Sequence, residues 1–83
     1  MPEIFLSPSK KYGVEMRYAV VIEKNKSNYS AYVPDLPGCI ATGSTIEETE
    51  ASIREAIAFH LEGMRQDHQT ISEPTSLVEY VSL

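Results

Sequence analysis

The chain has 83 residues, 7 basic and 12 acidic, with a formal charge of -5 and 42% apolar residues. At this length roughly 60% of the unfolded surface is buried on folding, enough for one modest core but not for a deep, enclosed active site. The acidic balance disfavours a sequence-independent nucleic-acid binder, which relies on many phosphate contacts, and is compatible with a basic protein partner.

No apolar run approaches the length of a membrane span, and no basic segment followed by a long apolar stretch opens the chain. Neither a membrane helix nor a secretory signal is predicted, and a cytoplasmic protein is expected. Cys39 is the only cysteine, which excludes an intrachain disulfide and any CxxC metal or redox site. Charge is unevenly spread: residues 1–42 carry 5 basic and 4 acidic side chains, residues 43–83 carry 2 and 8. At the same boundary the hydrophobic period changes from two to about 3.6. Neither half could bury a core alone, so this is one domain with an acidic helix.

Residues 1–15 read as an N-terminal extension or arm, because Ser7-Pro8-Ser9-Lys10-Lys11 breaks any element begun by Ile4-Phe5-Leu6. The domain proper is expected over 16–83. Arg17–Lys24 predicts a first strand, with Tyr18, Val20 and Ile22 on one face and Ala19, Val21 and Glu23 on the other. Asn25–Asn28 is a polar turn, and Tyr29–Val33 returns as the second strand of a hairpin. Pro34-Asp35-Leu36-Pro37-Gly38 then interrupts pairing, since both prolines lack an amide donor and Gly38 admits conformations closed to other residues. Cys39–Thr42 predicts a short third strand.

The helix entry is the clearest local signal. Thr45 is placed to accept the Glu48 amide while the Glu48 side chain reaches back, with Ser44 and Glu47 offering the same box one residue earlier. Ile46, Thr49, Ile53, Ile57, His60 or Leu61, and Met64 recur on one side. Gly63 predicts an end near that residue or a continuation to Gln66. Beyond Pro74, Leu77–Leu83 alternates as a last strand, joined by a right-handed crossover and parallel to the first. The predicted fold is therefore α+β, β-β-β-α-β, a four-stranded mixed sheet of order 3-2-1-4 with one helix packed on one face. The other face has nothing of its own to cover it. Tyr18, Val20 and Ile22, or their alternates, are expected there as an oligomer interface, giving a homodimer or higher homo-oligomer.

Candidate chemistry is sparse. Two-metal nuclease chemistry needs several converging carboxylates, and Glu23 with Glu48 or Glu55 are the nearest set, with Glu79 as a further candidate. A plain solvated acidic face is the simpler reading. Asp35 is expected to cap local amides around Gly38, and Pro34, Pro37, Gly38 and Gly43 to shape turns. Cys39 is a core residue and His60 a half-buried helix residue; no cofactor or metal is expected. Tyr18 and Tyr32 fall on different sheet faces, one suited to a core and one to an interface.

Pro34-Asp35-Leu36-Pro37-Gly38-Cys39-Ile40-Ala41-Thr42-Gly43, followed by Thr45-Ile46-Glu47-Glu48 and Ala51 to Ala56, resembles the HicB-type antitoxin family. Tyr29–Val33 upstream and Glu73-Pro74 with Leu77-Val78-Glu79 downstream fit the same pattern, so the resemblance covers about 16–83. It implies a partial ribonuclease H-like fold without the nuclease site. It also implies a non-catalytic protein-binding module, an antitoxin that occludes a small basic HicA-type ribonuclease toxin. Glu47, Glu50 and Glu62 would steer the encounter, while Tyr32, Asp35 and Leu36 of the loop region would add contacts. Many members carry a C-terminal DNA-binding module; with Leu83 directly after the last strand, no direct DNA binding is expected. The remaining alternatives are a solitary homo-oligomeric domain without a toxin, and a divalent-metal nuclease.

Overall fold

The computed structural model describes residues 16–71 and 73–83, so the extension expected over 1–15 lies outside the described residues. Three short strands, β1 (Val21–Lys24), β2 (Tyr29–Tyr32) and β3 (Ile40–Gly43), form an antiparallel sheet in the order β1-β2-β3. One helix, α1 (Ile46–Gln66), packs across β2 and β3. The hairpin turn is closed by Asn25 N donating to Asn28 O at 2.7 Å, with the two asparagine side chains joined at 2.9 Å. β1 begins four residues later than the alternation predicts. Val21 pairs with Tyr32, and the next amide on β2's strand, that of Val33, is turned away to Cys39 O at 3.2 Å.

Register decides which side chains meet the helix. Ile22, Ala31 and Ala41 form one cross-strand row, and Ala31 is buried against Ile53, Ile57 and Leu61 of α1. Tyr18 is buried on this side, and Val20 and Ile22 pack against the same core. The three residues expected on the uncovered face therefore lie with the helix, and their alternates occupy the outer face. There Val21, Tyr32 and Ile40 make a second cross-strand row, with Tyr32 and Ile40 exposed.

Thr45 caps α1: Glu48 N donates to Thr45 Oγ1 at 3.0 Å, and Glu48 Oε1 accepts from Ser44 N at 3.0 Å. The return bond thus falls one residue before the cap, which settles the one-residue ambiguity in favour of Thr45. Thr49, Ile53, Ile57 and Leu61, spaced by four, are the buried stripe. Thr49 is fully buried yet satisfied, its hydroxyl donating to Thr45 O at 2.7 Å. Its seat requires Gly43, because a Cβ there would lie 2.6 Å from Thr49 Oγ1 and 2.7 Å from Thr49 N. The helix runs through Gly63 and ends in a paired C-terminal motif: Gln69 N bonds Met64 O at 2.8 Å and His68 N bonds Arg65 O at 3.1 Å. His68 takes the left-handed position (φ 60°) that glycine usually fills.

The expected fourth strand is not formed. Among the described residues Leu77–Leu83 joins no ladder and the sheet has three strands, so the predicted order 3-2-1-4 holds for its first three members only. Alternation fixes the two faces of a segment but not the edge with which it pairs.

Gly43→Ala is expected to cost about 1–3 kcal/mol through overpacking against the helix backbone. Gly63→Ala, whose added methyl meets nothing within 4 Å, is expected to add about 0.5–1 kcal/mol by helix propensity. Urea unfolding followed by circular dichroism reads both.

Candidate functional site

The segment between β2 and β3 is two linked turns. Leu36 N donates to Val33 O and Cys39 N to Leu36 O, each at 3.0 Å. Pro34 and Pro37 hold the second position of each turn, and Gly38 at φ 85° supplies the left-handed third position of the latter. Between them Leu36 points inward and is 1% exposed. Placed in the sequence among the partner-contacting residues, it instead anchors the loop to the core, because a turn on either side reverses the chain around it.

Asp35 sits at the loop's outer surface, and its partners are not the amides near Gly38. Its carboxylate accepts from Thr75 N and Ser76 N, both at 2.9 Å, and from the Thr75 and Ser76 hydroxyls at 3.1 and 2.8 Å. The Ser76 amide, then the Ser76 hydroxyl and the Thr75 amide, hold the carboxyl at a pKa of about 2. This latch joins the loop to the segment after Pro74, across 40 residues of sequence. No local pattern announces it; only the Thr75-Ser76 hydroxyl pair, read as a possible carboxylate cradle, could have suggested it.

The back of α1 is acidic. Glu48, Glu55 and Glu62 repeat every seven residues, on the side of the helix opposite Ile53 and Ile57. Glu47 is exposed, while Glu50 is half-buried at the flank. Glu62 pairs with Arg65. Among these carboxylates stands Phe59, 84% exposed, which sequence periodicity leaves off the buried stripe. That misfit was the available sequence signal for an exposed aromatic side chain. Beside Phe59, between α1 and the start of β3, lies an open cleft of about 530 Å³ lined by Gly38, Cys39, Ile40, Phe59, His60 and Met64 among others. Cys39 is buried at its base, and burial raises the thiol pKa, keeping it protonated. Tyr32 neighbours Ile40 on the outer sheet face.

The nuclease carboxylates do not converge. Glu23 faces outward from the sheet in the row with Ser30 and Thr42, whereas Glu48 and Glu55 lie on the far side of the helix. The core separates them, and Glu48 is engaged at the cap. Among the described residues no group of three or more His, Cys, Asp or Glu is arranged to hold a metal. No described helix is long and apolar enough to cross a membrane.

Among the described residues these features define a small α+β domain: one helix on one face of a three-stranded antiparallel sheet, with an acidic outer helix surface. The chain belongs to the family of HicB-like antitoxins of bacterial toxin–antitoxin systems, whose model matches residues 18–82. It is similar to a 14.9 kDa protein of the rep-hol intergenic region of Haemophilus phage HP1, 37% identical over 67 residues. That match covers 81% of this chain and 50% of the phage protein, so the chain spans half the length of that relative. A UPF0150 protein of Helicobacter pylori is 34% identical over 64 residues, covering 76% of this chain and 89% of that one. Among solved structures, a chain of a HicA3 and HicB3 toxin–antitoxin complex superposes with a TM-score of 0.62 at 27% identity, over 71% of this chain and 70% of that one.

The Asp35 latch is a pH-dependent element whose sign follows from its lowered pKa. Its contribution is fully present above the unfolded value of 3.8 and is lost as pH falls through about 2. Acid titration by NMR is expected to move the Thr75 and Ser76 amide resonances with a midpoint near 2. Asp35→Asn should abolish that transition while leaving the helix resonances in place.

Proposed function

We propose that this protein is an antitoxin that binds a small basic ribonuclease of the HicA type and covers its RNA-binding surface. The single observation that carries the reading is the likeness to a chain of the HicA3 and HicB3 complex over 71% of this chain, within a family described as antitoxins. The mechanism is steric occlusion with charge complementarity, and no bond is made or broken by this chain. Glu48, Glu55 and Glu62, with Glu47 and Glu50 at the flank, supply a negative field that speeds encounter with a basic protein. Phe59 and Ile40 beside the cleft supply the apolar anchor that such interfaces need at their centre. Tyr32 extends this surface around the β3 edge. A ribonuclease that cleaves mRNA acts in the cytoplasm, and the pair belongs there.

Support also comes from the division of labour along α1, whose inner stripe is consumed by the core while its outer face is left for recognition. Co-purification of the full chain with the basic protein encoded beside it, and relief of that protein's RNA cleavage, test the reading. Failure of both would remove it. Phe59→Ala is expected to weaken binding at least about tenfold. Because Phe59 is largely exposed, the unfolding midpoint should stay unchanged. Glu55→Lys should act mainly on the association rate, with an effect that fades at high salt.

A further inference from the structure

We infer that Leu77–Leu83 is a donated strand, which completes the sheet of a second copy of this chain by pairing along the edge of that copy's β1. The inference goes beyond toxin binding and does not depend on it. Leu77, Val78, Tyr80, Val81 and Leu83 are all exposed, Tyr80 at 95%. Among the described residues the segment beyond Ser76 makes no hydrogen bond, and at its root both Thr75 and Ser76 are held by Asp35. It is thus an apolar strand sequence fixed at one end and unsatisfied along the rest. Both of its faces carry apolar side chains, Leu77, Val81 and Leu83 on one and Val78 and Tyr80 on the other. That is the pattern of a strand covered on two sides.

The complementary feature is on the same chain. Among the described residues β1 pairs with β2 alone, so the backbone groups on its other side are unmet. Beside that edge, on the helix face, Val20 and Ile22 are only partly buried. Charge is weakly complementary: residues 73–83 carry Glu73 and Glu79 and no cation, while β1 and its turn carry Lys24 and Lys26 beside a single carboxylate, Glu23. Seven extended residues span about 23 Å, more than the length of β1. The root lies on the β2–β3 loop, at the end of the sheet where β1 starts, since Val21 pairs with Tyr32.

Every copy therefore holds one donor and one acceptor, and reciprocal exchange about a two-fold axis satisfies both in a closed dimer. Ten apolar side chains burying on the order of 100 Å² each, together with the surfaces they cover, reach the roughly 1,600 Å² of a stable interface. A basic ribonuclease matches this segment less well, because its charge is met by the carboxylates of α1 rather than by a mostly apolar strand.

Hydrogen exchange of the full chain, measured across a dilution series alongside sedimentation equilibrium, tests the inference. The expected result is a dimer in which the amides of Val78–Val81 and of β1 are protected together and lose protection together on dilution. The double variant Tyr80→Glu/Val81→Glu, altering two exposed side chains, should keep the helical signal and weaken the dimer at least about tenfold. Protection of the same amides at all concentrations would mean that the segment folds onto its own sheet, and would overturn the inference. So would a monomer, a dimer whose terminal amides exchange freely, or protection that arises only on adding the basic ribonuclease.

Discussion

Close seating of one helix on one face of a small sheet is the constraint from which the other features follow. Strands of four residues make few ladder bonds, and a sheet of this size is stable only when a packed layer covers it. Thr49 provides the closest point of that contact: it is fully buried, bonded to Thr45 O, and lies against a backbone position that only glycine can occupy. Ile53, Ile57 and Leu61 continue the line over Ala31 and Ala41, where small strand residues let the helix approach. Burial of each large side chain in this line is worth about 1.5–3 kcal/mol. The helix is thereby committed on its inner side, and its outer side is available for recognition.

The loop between β2 and β3 links this core to the chain's C-terminal segment. Leu36 fastens the loop inward while Asp35, its neighbour, holds Thr75 and Ser76 outward. One turn thus has a hydrophobic foot and a charged clasp on adjacent residues. The clasp fixes where the last segment leaves the domain without covering that segment's own apolar side chains. The proposed recognition surface on the back of α1 and the proposed assembly segment beyond the loop therefore lie on different parts of the molecule.

Local structure was legible in the sequence wherever a few adjacent residues determine it. The Asn25–Asn28 turn, the Thr45–Glu48 cap, the two prolines with Gly38, and the four-residue spacing of the buried stripe all depend on short-range geometry. The faces of the first strand were not legible, because both its alternating sets are apolar. Only the pairing of Ile22 with Ala31 decides that Tyr18, Val20 and Ile22 turn inward. The Asp35 clasp depends on contacts 40 residues apart in sequence, and the pairing of Leu77–Leu83 on edges that its own residues do not specify; on both, alternation is silent. Leu36 was misplaced for a related reason: its loop is rich in turn residues, yet two successive reversals drive its side chain into the core. Phe59 stood out only as an apolar residue off the stripe. Of the proposed recognition surface, the sequence revealed the acidic charge but not the exposed apolar residues beside it.

Kinship to HicB-like antitoxins and the geometry of α1 converge on a single claim, that one side of the helix builds the fold and the other meets a basic ribonuclease. Chemical-shift mapping of the isotopically labelled full chain, titrated with that ribonuclease, tests it most directly. The account predicts that the largest changes trace Glu48, Glu55, Phe59 and Glu62 and extend to Ile40, with the Ile53 and Ile57 methyl signals nearly unmoved. Changes confined to β1 and the hairpin turn, or none at saturating partner, would contradict it.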